Sequence, residues 1–267
     1  EYKEFYTKLY PMKQPPLFWI HLNVDYPFNL KGILYFPKVM HELDAKKGQV
    51  KLFCKQIFVS DNANDVIPEF LTLLQGAIDC PEIPLNVSRS YLQNDPYVQK
   101  ISKHIIKKVA DKLNELYKKE KAHFEKIWTD ISPFIKYGMM QNDDFYSKVK
   151  DIIIFESSLG YKTSIPEYIE RNKETLKDKV IYCSDKDAQA TYVTMCKEQD
   201  IEVLFTHAMI DTHFIQFLES KDSKIKYSSI DAELSDNLID DSQQSQVVDQ
   251  DNKTADDKLA DIFKKAL

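Results

Sequence analysis

One amphipathic stripe near the middle of the chain divides it into parts that must fold differently. From Ile101 onward, Ile105, Val109, Leu113, Leu116 and Tyr117 recur at three- and four-residue intervals, with Lys103, Lys107, Lys108 and Lys118 on the other side. That spacing predicts a long helix with one buried face. The residues before it follow another rule. Leu17–Val24, Leu30–Phe36 and Val50–Val59 are short runs rich in aromatic and β-branched residues, bounded by Pro, Asn, Asp and Gly, which is the pattern of strands. Between Asp65, a candidate N-cap, and Ile78, the residues Val66, Phe70, Leu73, Leu74 and Ala77 return to helical spacing, predicting a helix that covers this sheet.

After the stripe the chain alternates. A helical connector is expected to reach about Phe145, followed by an apolar helix around Val149–Phe155 and a capping box at Ser164-Ile-Pro-Glu167 that opens another helix. Lys179–Cys183 then reads as a strand, Asp187–Gln199 as a helix and Ile201–Thr206 as a strand, a spacing that suits parallel strands joined by a crossover helix. Asp211 is placed to cap a helix through Phe214, Ile215 and Leu218, ahead of a last strand at Ile225–Ser229. At 267 residues the chain exceeds the usual ~100–150-residue domain. The fold expected is α/β (α+β), with two αβα sandwich-like subdomains at 1–118 and 146–230 joined by a helical connector at 119–145.

Charge separates the remainder. Residues 231–257 hold nine Asp or Glu and one Lys, a net −8 in a chain whose total is −6, which leaves +2 elsewhere. With several glutamines and no aromatic residue, this stretch lacks the apolar surface needed to order itself and reads as a disordered acidic linker. Residues 258–267 place Leu259, Ile262, Phe263 and Ala266 on one helical face and read as the start of a truncated C-terminal domain.

Several chemistries find no support. Cys54, Cys80, Cys183 and Cys196 lie far apart and read as reduced thiols, and the six histidines show neither zinc-protease nor finger spacing, so no metal is assigned. Five glycines do not form a phosphate-cradling or dinucleotide loop, and no Gly-x-Ser-x-Gly elbow occurs. No apolar run approaches the ~20 residues of a membrane-spanning helix.

The informative segment is Pro81-Glu-Ile-Pro-Leu-Asn-Val-Ser-Arg-Ser-Tyr-Leu-Gln-Asn-Asp-Pro96. Two prolines favour extension, after which Asn86 or Ser88 can cap a short helical turn. On such a turn Arg89 and Gln93 share a face, where a planar five-donor guanidinium beside a carboxamide suits phosphate oxygens. Arg89 and Arg171 are the two arginines beside 34 lysines. Residue chemistry alone still favours an ordinary surface arginine over a phosphate ligand.

Leu85-Asn-Val-Ser-Arg-Ser-Tyr-Leu-Gln93 resembles the catalytic-loop motif of the heat-shock protein 90 family of chaperones, above all its bacterial HtpG branch. The resemblance extends to Glu1–Tyr6, Lys55–Asp61 with Ile67–Leu71 and Gly76, Ile101–Lys108, Ser164–Lys173, Val180–Tyr182, and Ile201–Leu204 with Ile210-Asp211, covering residues 1–230 in order. It implies the middle domain of an ATP-dependent chaperone that assists protein folding and binds client protein. ATP with Mg2+ would be held mainly by a separate N-terminal domain. Arg89 would then reach the γ-phosphate, Gln93 would accompany it, and Asn86 and Phe58 would support the loop; alternation makes Phe58 equally an ordinary sheet-face residue. A C-terminal dimerisation domain, a full-length homodimer, a monomeric fragment without its own ATPase activity, possible cochaperones, a stress-response role and a cytoplasmic location are implied with it. Nucleic acid and membrane are not expected partners.

Departures are specific. Residues 37–48 lack the aromatic-containing Ala-Pro-Phe/Trp-Asp segment common in relatives, and Ser90 and Tyr91 stand where many carry an acidic and an apolar residue. The chief rival is an ATP-independent interaction scaffold. A nucleic-acid binder using the lysine face of Ile101–Trp128, and a thiol enzyme built on Cys183 or Cys196, are further alternatives.

Overall fold

The computed structural model describes residues 1–38, 50–61, 63–64, 66–83 and 95–232. The first layer begins with helix α1 (Tyr2–Leu9), followed by strands β1 (Phe18–Val24), β2 (Leu30–Phe36), β3 (Val50–Cys54), β4 (Ile57–Ser60) and β5 (Gln75–Asp79). Their order across the sheet is β1-β2-β5-β3-β4, with β5 antiparallel to β2 and parallel to β3. Strand β2 shows how the sheet is covered. Leu34 and Phe36 face the main core, whereas Ile33 and Tyr35 face a second cluster with Tyr6 and Tyr10 of α1, as a two-residue side-chain period requires. Helix α1 is then pinned by polar contacts: Tyr6 Oη donates to Gln75 Oε1 at 2.6 Å, and Tyr10 Oη accepts from the Gly76 N–H at 2.9 Å. Gly76 has φ +142°, and a Cβ there would collide with the Ile33 carbonyl, so the close approach of β5 to β2 needs glycine.

The other face of the sheet lies against α2 (Pro96–Lys119) and α3 (Lys121–Gln141). Asp95 caps α2 by accepting the Tyr97 and Val98 N–H groups at 2.8 and 3.3 Å, and Pro96 occupies the first turn where its missing donor costs nothing. The predicted stripe is buried: Ile101, Ile105, Val109, Leu113 and Leu116 are each at most 2% exposed. Helix α4 (Asp143–Val149) follows, with Asn142 accepting from the Phe145 N–H at 2.8 Å.

The second sheet contains β6 (Ile154–Ser157), β7 (Lys162–Ser164), β8 (Lys179–Cys183), β9 (Leu204–Phe205) and β10 (Lys226–Ser229), ordered β10-β8-β9-β6-β7. Helices α5 (Ile165–Asn172), α6 (Ala190–Glu198) and α7 (Asp211–Lys221) connect them. Strand β8 pairs in parallel with both β9 and β10, as crossover helices between them predict. The capping box is formed: Ser164 Oγ accepts from the Glu167 N–H at 3.4 Å while Glu167 Oε2 accepts from the Ser164 N–H at 3.0 Å. One continuous apolar cluster runs from Phe18 to Leu218 through α2 and α3, so the α/β fold expected from the sequence is realised around a shared core.

Four local expectations fail, each for a physical reason. The helix predicted over Asp65–Ile78 is a 3-10 turn at Glu69–Leu71 followed by β5. Pro68 takes an extended ψ of 142° and interrupts it, and pairing with strands on both sides claims Gln75–Asp79. The run Val50–Val59 is a hairpin rather than one strand, because Lys55 and Gln56 turn with φ 51° and 65°. The helix expected at Val149–Phe155 ends at Val149, and a 3-10 turn at Lys150–Ile152 leads into β6. Ile152 to Phe155 are all buried, and a continuous apolar run carries no period to choose between helix and strand. Asp211 does not cap α7 from outside; it is that helix's first residue, buried, with Oδ1 accepting from Lys136 Nζ at 2.5 Å and Oδ2 from the Ala208 N–H at 3.1 Å.

Candidate functional site

Asn86, Arg89 and Gln93 lie outside the described residues, but both ends of their segment are fixed. Its upstream end leaves β5 through Cys80–Ile83, where the Cys80 N–H donates to the Phe53 carbonyl at 2.9 Å and extends the β5–β3 ladder by one bond. Its downstream end is Asp95, held by the α2 cap. The segment from 84 to 94 thus joins a central strand to the first turn of the longest helix among the described residues.

The β3–β4 hairpin is tied to the same strand end. The Gln56 N–H, in the tight turn, donates to Asp79 Oδ2 at 2.8 Å, and Cys54 Sγ lies 3.6 Å from the Pro81 carbonyl oxygen. Asn29 Nδ2 donates to Glu82 Oε1 at 2.9 Å, bracing the exit from the β1–β2 side. The second Asp79 oxygen is buried with no hydrogen-bond partner among the described residues, an uncommon cost for a carboxylate. Asp79 therefore joins the hairpin turn to the strand that feeds the Arg89 segment. Sequence reasoning passed over it, since an aspartate closing a strand carries no distinctive local signal.

Phe58 sits on this hairpin, at the outer edge of the sheet. It is 54% exposed, with its ring 5.7 Å from that of Phe53 and nearly perpendicular to it. Its neighbours Ile57 and Val59 are exposed as well, at 71% and 37%. Strict alternation would have buried one side of β4, but among the described residues neither side is covered. Among the described residues Phe58 is thus an exposed edge aromatic rather than a core residue.

Two of the thiols are held in the protonated form. Burial, reinforced by Asp79, Cys54 and Glu82, pushes the Cys80 thiol up to about 12, and burial likewise raises that of Cys183. Such thiols stay protonated and are poor nucleophiles. Among the described residues no group of three or more His, Cys, Asp or Glu side chains is placed to hold a metal ion, and no helix is long and apolar enough to cross a membrane.

Away from this region, a cleft of about 290 Å³ opens between α3 and the second sheet, floored by Lys136 and Asp211 and bordered by Trp128, Phe155 and His207. Lys136 Nζ lies 4.6 Å from the centre of the Phe155 ring, and burial drives its pKa down while Asp211 opposes the shift. Below the sheet, the Glu202 carboxylate accepts from Arg171, Asn172 and Ser157 and is satisfied on all sides. Arg171, the arginine not drawn into the phosphate motif, is thus structural. At the capping box, burial alone would raise the Glu167 carboxyl, but hydrogen bonds from Lys121, the Ser164 N–H and Tyr117 bring it down to about 2.

Comparison with known proteins places this architecture. The family model described as Hsp90 protein matches residues 1–267. The HtpG chaperone of Bacteroides fragilis is 45% identical over 244 residues, covering 90% of this chain and 36% of that protein, and the HtpG of Porphyromonas gingivalis is 44% identical over the same shares. The chain therefore spans about a third of the length of these curated relatives. In fold it is similar to the middle domain of a Plasmodium falciparum heat shock protein, with a TM-score of 0.68 and 22% identity, covering 86% of this chain and 93% of that one. With the family model spanning every residue, the chain belongs to the Hsp90 family; it is similar to the HtpG chaperones of two bacteria and has the fold of a heat-shock-protein middle domain.

Proposed function

We propose that this chain is the part of an ATP-dependent folding chaperone that completes an ATPase site built mainly by another domain. The observation that supports it is the Leu85–Gln93 motif, anchored between β5 and α2, in a chain matched by the family model over its whole length. Arg89 would present its guanidinium to the γ-phosphate of ATP held with Mg2+ by an N-terminal domain, stabilising charge that grows on the transferred phosphoryl group. Gln93, one helical turn on, would orient a polar neighbour, and Asn86 would hold the turn. Client protein would meet exposed apolar surface, for which Ile57, Phe58 and Val59 are candidates. In the full-length protein a C-terminal domain would supply the homodimer contact, with residence in the cytoplasm and a role under stress.

The test is steady-state ATP turnover by the full-length protein and its Arg89→Ala variant. The proposal expects turnover to collapse while nucleotide affinity holds. Unchanged turnover would favour the second reading, an ATP-independent interaction scaffold, for which the uncovered apolar edge of β4 is the favouring observation.

A further inference from the structure

The first half of α2 carries a charge stripe that the ATPase reading does not use. Between Pro96 and Ala110 the helix holds Lys100, Lys103, Lys107 and Lys108 and no acidic residue. Lys100, Lys103 and Lys107 are exposed and Lys108 is half-buried. The spacing puts Lys100, Lys103 and Lys107 along one side, within about 10 Å of helix axis. Among the described residues none of these four has a carboxylate within ion-pair distance, whereas on the second half of the same helix Lys112 and Lys119 both reach Glu115. The field is felt locally: burial, then Lys108 and Lys107, lower the pKa of His104 against the opposing pull of Asp111, and its Nε2 is buried with no hydrogen-bond partner among the described residues.

The same chain contains the matching charge. Residues 231–257 hold nine carboxylates and one lysine. They begin at Asp231, whose carboxylate accepts from Gln189 Nε2 at 2.6 Å beside the end of β10. From β10 the path to α2 is short. Tyr227 of β10 and Tyr146 of α4 pack against the same apolar cluster, and Asn114 of α2 donates to the Lys148 carbonyl of α4 at 2.9 Å. Lys107 is two turns from Asn114, about 10 Å along the helix. Twenty-seven residues span up to roughly 90 Å when extended, so reach is not limiting. Being on one chain, the two charge sets meet at high effective concentration.

We propose that the acidic segment 231–257 docks on the α2 stripe formed by Lys100, Lys103, Lys107 and Lys108, as an intramolecular electrostatic contact. The contact gathers net −8 against four lysines that have no carboxylate partner among the described residues, and lies next to the helix start that anchors the Arg89 segment. It does not depend on the ATPase reading, since both charge sets belong to this chain.

The experiment is zero-length carbodiimide crosslinking of the 267-residue chain with peptide mapping, on an equal mixture of isotopically light and heavy protein. Crosslinks from segment 231–257 are expected to concentrate on Lys103, Lys107 and Lys108, within single chains. They should vanish at about 0.5 M salt, where the screening length falls to roughly 4 Å, and in the Lys103→Glu, Lys107→Glu double variant. These are exposed positions, so the variant keeps its fold, which circular dichroism verifies. Crosslinks spread evenly over other exposed lysines such as Lys3, Lys8 and Lys13, crosslinks joining light to heavy chains, or none at all would overturn the proposal.

Discussion

Removing the Asp211 carboxylate is expected to destabilise the protein in a pH-dependent way. Lys136 of α3 and Asp211 of α7 face each other at 2.5 Å with 4% of each side chain exposed. In Asp211→Ala the ammonium stays among Phe155, Phe214 and the α3 backbone without a counter-ion. Breaking a buried pair from one side costs about 3–5 kcal/mol. The cost has a ceiling, because Lys136 can surrender its proton: neutralising a lysine of pKa ~10.4 at pH 7 requires about 4.6 kcal/mol. In the variant the folded-state pKa of Lys136 falls below its unfolded value, so the unfolded chain binds more protons. Stability must therefore rise as pH is raised from 7 toward 9. Replacing both residues, as in Lys136→Met with Asp211→Leu, leaves no buried charge and should return within about 2 kcal/mol of the parent. Urea unfolding followed by tryptophan fluorescence, with Trp128 bordering this cleft, measures the parent and both variants at pH 7 and pH 9. A single-variant cost under about 1 kcal/mol with no pH slope would show that water reaches the pair and that the reasoning is wrong.

Ser164→Ala removes half of the capping box that opens α5 and is expected to cost about 1 kcal/mol, read as a lower urea midpoint with unchanged slope. Gly138→Ala places a methyl group against the Phe70 ring, so despite a helix-propensity gain of about 1 kcal/mol it should be net destabilising by roughly 1–2 kcal/mol. Phe70→Leu in the same chain should relieve part of that loss, and a purely additive pair would refute the clash. His104 has its pKa lowered by burial and by Lys108 and Lys107; its contribution to stability is complete above the unfolded value of about 6.5 and is lost as pH falls below it. His104→Gln should accordingly flatten the decline in urea midpoint between pH 7 and pH 5, and an unchanged slope would assign that decline to other groups.

Periodicity made the central helix legible because Ile101 to Leu116 repeats for several turns and the opposite face is rich in lysine. Strand β8 was legible residue by residue, since Lys179–Cys183 is a compact apolar run bounded by polar turns. The failures share a cause. Leu71 to Ala77 and Ile152 to Phe155 are largely apolar and buried, and in such a run the partners, rather than the spacing, decide between helix and strand. For Gln75–Asp79 the deciding partners are β2 and β3, remote in sequence. At the candidate site, the motif from Leu85 to Gln93 was visible because it is local. The Asp79 bridge and the Lys136–Asp211 pair were not, because each becomes meaningful only when chain segments 23 and 75 residues apart meet.

The most direct test of the ATPase reading is a single-turnover measurement of γ-phosphate release by the full-length protein, comparing the parent with Arg89→Ala and Arg89→Lys, with nucleotide binding measured separately. A transition-state arginine predicts a fall in the hydrolytic step of up to ~10³-fold or more, with binding intact and with lysine, a point charge without the planar fork, restoring little. A hydrolytic step that survives both substitutions would contradict the account and leave this chain as a surface for binding other proteins.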